Sequence, residues 1–225
     1  MWQFLKDGGP VMFLLVPTSI VGLAFIIERG LALRWKKILP PEVEKAMDLC
    51  RAKTDLAMLQ GICQREHSPL SRLLLLAAEH LHWPKDENAD AIQTRARHEV
   101  AQMERGLVVL EIIVGIAPLL GLVGTINGLI SLFGGLSKSG LSDNTVVAHG
   151  ISIALNTTLT GLLIAIPALI SWSYYNKKVE TLAIEMETLC DAFLRRFYHR
   201  EERDRQEAAS PSPARSSTPP PLPAE

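Results

Sequence analysis

The sequence predicts an all-α, polytopic membrane protein with three transmembrane helices and long cytoplasmic helical extensions. Three observations predict it. Apolar stretches fill residues 10–27, 107–133 and 146–175, although the 225-residue chain is 21% charged as a whole. Each stretch is long enough to cross a hydrocarbon layer about 30 Å thick, which takes roughly 20 residues of helix. Their only acidic or cationic residues are Glu111 in the second and, when protonated, His149 in the third, whereas a soluble helix would carry a charged face.

Residues 1–9 offer one cation, Lys6, and are placed in the periplasm. The first span covers 10–33. It ends in Ile26-Ile27-Glu28-Arg29 rather than a small-x-small cleavage site, so it reads as a retained anchor and not as a signal peptide. Arg29, Arg34, Lys36, Lys37 and Lys45 follow it, and Arg95, Arg97 and Arg105 precede the second span. Lys177, Lys178, Arg195 and Arg196 follow the third span, while the hairpin at 134–145 has only Lys138. Basic residues favour the cytoplasmic side. The N-terminus and the 134–145 hairpin therefore lie in the periplasm, and the segments 34–106 and 176–201 lie in the cytoplasm.

The cytoplasmic segment 34–106 reads as helices. Pro40-Pro41 opens one that runs to about Gln64. Ser68 as cap and Pro69 in the first turn start another, which ends before Trp83-Pro84. A third starts near Glu87-Asn88 and is expected to continue as one rod into the second span at 107–133. Beyond the third span at 146–175, the helix over 176–201 carries Val179, Leu182, Met186, Leu189 and Phe193 at three- and four-residue spacing, an amphipathic stripe for packing on neighbouring helices. Residues 202–225 are rich in proline, serine and charge, and are expected to be a disordered tail.

A net charge of −1 argues against a nucleic-acid surface, which normally shows a basic excess. Cys50, Cys63 and Cys190 have no paired spacing and read as reduced thiols packed between helices. No metalloprotease, phosphate-loop or nucleophile-elbow motif is present, so neither an enzyme nor a metal or cofactor site is expected. His67, His80, His82, His98 and His199 read as solvated or capping residues.

The informative residues lie in the spans. Gly115, Gly121, Gly124 and Gly128 follow closely in the second, and the Gly124/Gly128 spacing lets helix backbones approach. In the third, Ala154, Thr158, Gly161 and Ala165 form one small-residue stripe, and His149, Ser152, Asn156 and Thr160 form another nearly opposite. Polar groups at membrane depth turn toward protein or a water-filled path, so two such faces favour an oligomer. The plainer alternative is that Thr125, Thr157, Thr158 and Thr160 bond carbonyls one turn back. Pro118 and Pro167 free backbone carbonyls within the second and third spans. Glu111 either snorkels to the interface or serves as a relay.

The runs Ala117-Pro118-Leu119-Leu120-Gly121-Leu122-Val123-Gly124-Thr125, Ala154-Leu155-Asn156-Thr157-Thr158 and Gly161-Leu162-Leu163-Ile164-Ala165-Ile166-Pro167-Ala168 resemble the MotA/TolQ/ExbB proton-channel family. Three spans with a short outer hairpin are similar to its ExbB/TolQ branch. The resemblance implies a bacterial inner-membrane homopentamer around a dimer of a single-span partner of the ExbD/TolR type, whose membrane aspartate carries the ion. Residues matching Thr125 and Thr158 would line the path beside that aspartate, with Asn156, Thr157 and Thr160 as further lining candidates. Ile153 stands where many relatives carry glutamate, and vicinal Thr157-Thr158 resembles sodium-driven members. Na⁺ is therefore an alternative to H⁺. The expected role is an ion-driven motor or stator subunit that passes work to the periplasm or outer membrane. A non-conducting scaffold or receptor for cytoplasmic partners is the alternative.

Overall fold

A computed structural model describes residues 10–50, 53–139 and 144–209. Among them the chain is helical throughout, with no strand. Helix α1 spans Met12–Ala32, α2 Trp35–Ile38, α3 Pro41–Leu49, α4 Leu56–Arg65, α5 Pro69–Glu79, α6 Lys85–Glu104, α7 Leu107–Ser139 and α8 Asn144–Ala209. Three of these are apolar enough to cross a membrane, over Met12–Ala32, Leu107–Leu136 and within Val147–Arg200. The chain is thus a membrane protein. The expected 1–9 segment lies outside the described residues, as do 140–143 of the hairpin. Helices α7 and α8 run on to Ser139 and from Asn144, well into the stretch 134–145.

The 66 residues of α8 form a rod about 100 Å long at about 1.5 Å per residue. Its first half packs on α7 in the membrane bundle, and its second half is the spine of a helical domain. That domain has the larger core: Leu70, Leu73, Leu74 and Ala77 of α5 meet Leu182, Met186 and Phe193 of α8, with Val43 and Met47 of α3 and Leu59 of α4. The stripe Val179, Leu182, Met186 and Phe193 is fully buried and Leu189 partly so, which answers the spacing in the sequence. The bundle instead has small cores such as Ile113, Ala117, Ala165 and Ala168. It leaves Leu119, Ile130, Leu163 and Ile170 exposed, as lipid-facing surfaces require.

Three boundaries differ from the expectation. The helix opened by Pro41 stops at Leu49 instead of running to Gln64, with Cys50 in extended backbone. Arg196, from the far end of α8, donates to the carbonyls of Met47 at 2.7 Å and Asp48 at 3.2 Å, satisfying that helix end. The rod from α6 into α7 is interrupted at Arg105–Gly106. There the Arg29 guanidinium donates to the Met103 carbonyl at 3.3 Å, and a side chain at Gly106 would collide with it. Finally, α8 continues to Ala209, past Glu202, because no proline occurs until Pro211 and the intervening residues are mostly good helix formers. Residues 210–225 of the expected tail lie outside the described residues.

Ser68 caps α5 as its sequence suggests, accepting from the Ser71 amide at 3.1 Å. Cys50, Cys63 and Cys190 are free and buried, and burial pushes the Cys63 thiol up to about 11. One buried charge ties α5 to α6. The Glu99 carboxylate is sealed from solvent between Arg72, which bonds it twice, and Arg95 at 3.0 Å. Burial alone would raise the Glu99 pKa, but the Arg72 hydrogen bonds and the two positive charges override it and hold it below the usual range. Its stabilisation is therefore fully present above the ordinary glutamate value of about 4.3 and fades as pH falls below that. Glu99→Gln strands Arg72, which is one-third exposed, and is expected to destabilise the helical domain by about 2 kcal/mol. Thermal melts of the solubilised protein at pH 7 and pH 4 check this: the gap between variant and wild type narrows at the lower pH.

Candidate functional site

Helices α7 and α8 approach closely because glycine removes the Cβ where their backbones cross. A Cβ on Gly161 would lie 2.6 Å from the Ala117 carbonyl oxygen, and one on Gly128 would lie 2.9 Å from the Ala154 nitrogen. A Cβ on Gly121 would meet the Thr158 Cα at 3.2 Å, and one on Gly124 would strike the Thr157 side chain. Gly150, from α8, repeats the device against Leu132. Gly115 faces open space, so its place in the glycine series does not carry over to packing.

The threonines cluster on this seam. Thr125 of α7 and Thr158 of α8 share a hydroxyl–hydroxyl hydrogen bond, and each also reaches the Gly121 and Ala154 carbonyls at 3.2–3.3 Å. Thr157 is fully buried beneath Gly124, donating to the Ile153 and Ala154 carbonyls at 2.9 and 3.0 Å. Thr160 donates to the Asn156 carbonyl at 2.7 Å, and the Asn156 amide donates to the Ser152 hydroxyl at 3.3 Å. All four threonines thus satisfy a carbonyl within their own helix, the plainer of the two sequence readings, and Thr125 and Thr158 add a contact between helices. A hydroxyl has one proton to give and two lone pairs to receive with. Once each proton points to a carbonyl or to the neighbouring hydroxyl, the seam presents acceptor oxygens, suited to a proton donor or a small cation.

The second stripe stays apart from this pair. His149 and Ser152 are exposed, and Asn156 and Thr160 are half-buried, on a face of α8 that the seam does not use. Pro118 is half-buried and Pro167 exposed, and the helices run unbroken through both. Glu111 is exposed one turn into α7, with no partner among the described residues.

Sequence reasoning missed the residues that hold the first span to this seam. The Tyr175 hydroxyl donates to the Ile26 carbonyl at 2.9 Å, and Gly30 makes room for it, since a Cβ there would lie 2.9 Å from that oxygen. Gly22 also lies against Ile113, but a Cβ there would make only an ordinary contact at 3.5 Å. Tyr175 reads in the sequence as one more interfacial aromatic, and nothing local marks Gly30.

Residues 65–188 match the family described as the MotA/TolQ/ExbB proton channel family, which is more than half of the chain. The chain is 38% identical to the ExbB-like 1 biopolymer transport protein of Synechocystis sp., over 75% of this chain and 67% of that protein. It is 29% identical to an ExbB homologue of Methanothermobacter thermautotrophicus, over 79% of this chain and 63%, just under two thirds, of that protein. Identity to the Tol-Pal system protein TolQ of Pseudomonas aeruginosa is 27%, over 86% of this chain and 90% of the relative.

Proposed function

Since the chain belongs to the MotA/TolQ/ExbB proton channel family, in its ExbB/TolQ branch, we propose that it is the stator subunit of an inner-membrane motor. It couples a proton or sodium gradient to work in the periplasm or at the outer membrane, and it is not an enzyme. Its N-terminus lies in the periplasm and its helical domain in the cytoplasm, as the distribution of lysine and arginine favours. A homopentamer surrounds a dimer of an ExbD/TolR-like single-span partner.

The Thr125–Thr158 pair carries this reading. It sets acceptor oxygens at membrane depth in a seam kept narrow by glycine. The span 146–175 has no carboxylate and Glu111 stands at the start of α7, away from the threonine pair, which favours a titrating group supplied by another polypeptide. Thr157, packed under Gly124, serves the seam as a filler, and Asn156 with Thr160 faces a neighbouring subunit. Glu111 snorkels to the interface.

Co-expression with a short single-span protein bearing a membrane aspartate tests the proposal. Native mass spectrometry is expected to find the pentamer with a partner dimer, and vesicles holding both are expected to pass protons or sodium. A chain that stays solitary beside its partner, or an assembled complex that passes neither ion, would favour the non-conducting scaffold.

A further inference from the structure

We infer that the exposed run Arg34-Trp35-Lys36-Lys37, joined by Lys178 of α8 just past the third span, docks the headgroups of anionic phospholipids in the cytoplasmic leaflet. All four residues of the run are exposed, between Leu33 on one side and Ile38, Leu39 and Pro40 on the other, all buried. The one-turn helix α2 fixes them, with the Lys37 amide bonded to the Arg34 carbonyl at 2.9 Å and the Leu39 amide to the Trp35 carbonyl at 2.8 Å. The run is therefore a rigid ledge.

The density of unpaired charge distinguishes this ledge: Lys45, Arg65, Lys85, Arg97 and Arg105 also lack a carboxylate partner among the described residues, but none lies within three residues of another unpaired lysine or arginine. Arg29, Arg72, Arg95, Lys177, Arg195 and Arg196 each pair with a carboxylate. Arg34, Lys36 and Lys37 pair with none among the described residues. The nearest acids on either side along the chain are already engaged: Glu28 binds Arg29, and Glu42 and Glu44 occupy the first turn of α3, where the helix dipole favours them.

Depth argues for lipid over a soluble anion. Helices α1 and α8 run in the same direction and touch where Tyr175 meets Ile26 and Gly30. One turn beyond that contact lie Arg34 on one side and Lys178 on the other, so both sit at the level where the spans leave the membrane. The aromatic residues agree: Trp35 is 42% exposed, Trp172 is half-buried, and Lys178 lies 5.7 Å over the Tyr174 ring. Aromatic residues concentrate at this interface, and unpaired bases immediately cytoplasmic of a span attract anionic headgroups.

The test places the full chain in nanodiscs of equal phosphatidylglycerol and phosphatidylcholine, then counts retained lipids by native mass spectrometry. The wild type is expected to retain phosphatidylglycerol over phosphatidylcholine by about threefold or more at low salt, approaching parity at high salt. The R34Q/K36Q/K37Q/K178Q variant is expected to fall to near parity. K36R/K37R/K178R keeps the charge and keeps the preference, as does Arg203→Gln, far along α8 from the membrane. Inorganic phosphate at equal ionic strength is expected to leave the preference intact. Parity in the wild type, an undiminished preference in the quadruple glutamine variant, or displacement by inorganic phosphate would overturn the inference. No ion flux is read, so failure here leaves the motor reading standing.

Discussion

Thr158→Val is expected to reduce partner-dependent ion flux to background while leaving the assembly intact. Valine keeps the shape of threonine and removes its hydroxyl. In the structure that hydroxyl bonds Thr125 and reaches two carbonyls, Gly121 and Ala154, at 3.3 and 3.2 Å. Both carbonyls remain within reach of Thr125 at 3.3 Å, so no buried acceptor is abandoned. A single hydroxyl contact between membrane helices is worth about 1 kcal/mol or less, too little to unfold the seam. Function has no such reserve, because one of the two facing acceptor oxygens has gone. A pH-sensitive dye inside vesicles, with a sodium-sensitive dye in parallel, reads the flux, and native mass spectrometry counts the subunits. Undiminished flux in a correctly assembled variant would remove Thr158 from the ion path. Thr157→Val provides the contrast: its hydroxyl serves only its own helix, buried under Gly124, so its loss is expected to lower stability slightly and leave most of the flux.

The spans and the amphipathic end of the third were legible because both depend on local pattern alone. An uncharged run of span length has few alternatives, and Val179, Leu182, Met186 and Phe193 can share a face only on a helix. The helical wheel separated the two faces of α8 in part: Ala154, Gly161 and Ala165 are buried with Thr158 half-buried, whereas on the other stripe His149 and Ser152 are exposed and Asn156 and Thr160 half-buried. Which helix would cover the small-residue face was not legible, and so the meeting of Thr125 with Thr158 was not. Two of the three misplaced boundaries, at Leu49 and at Arg105–Gly106, share a cause. Arg196 satisfies the end of α3 from 149 residues away in sequence, and Arg29 does the same for Met103 at a separation of 74. No local signal marks such contacts. Glu111 is a different case, since it is exposed and without a partner among the described residues.

Gly161→Ala and Gly115→Ala are expected to shift stability in opposite directions, although both replace glycine with alanine inside a membrane helix. Alanine gains up to about 1 kcal/mol of helix propensity over glycine. At Gly115 nothing lies within 4 Å of the added carbon, so that gain is kept and the variant melts at or slightly above the wild type. At Gly161 the same carbon would sit 2.6 Å from the Ala117 carbonyl oxygen and 3.1 Å from the Gly121 Cα. Both obstacles are backbone atoms of α7, which no rotamer change can move aside. The helices must separate by several tenths of an ångström along a seam with no looser side chain to yield. Overpacking of this kind typically costs 1–3 kcal/mol, which exceeds the propensity gain. The separation also pulls Thr158 away from Thr125, so Gly161→Ala is expected to lose flux together with stability, where Thr158→Val loses flux alone. Thermal melts of the solubilised protein and flux in vesicles, measured on the same preparations, distinguish the two modes of failure. A Gly161→Ala protein that melts with the wild type would mean the α7–α8 seam is wider in the assembled protein than the glycine contacts require.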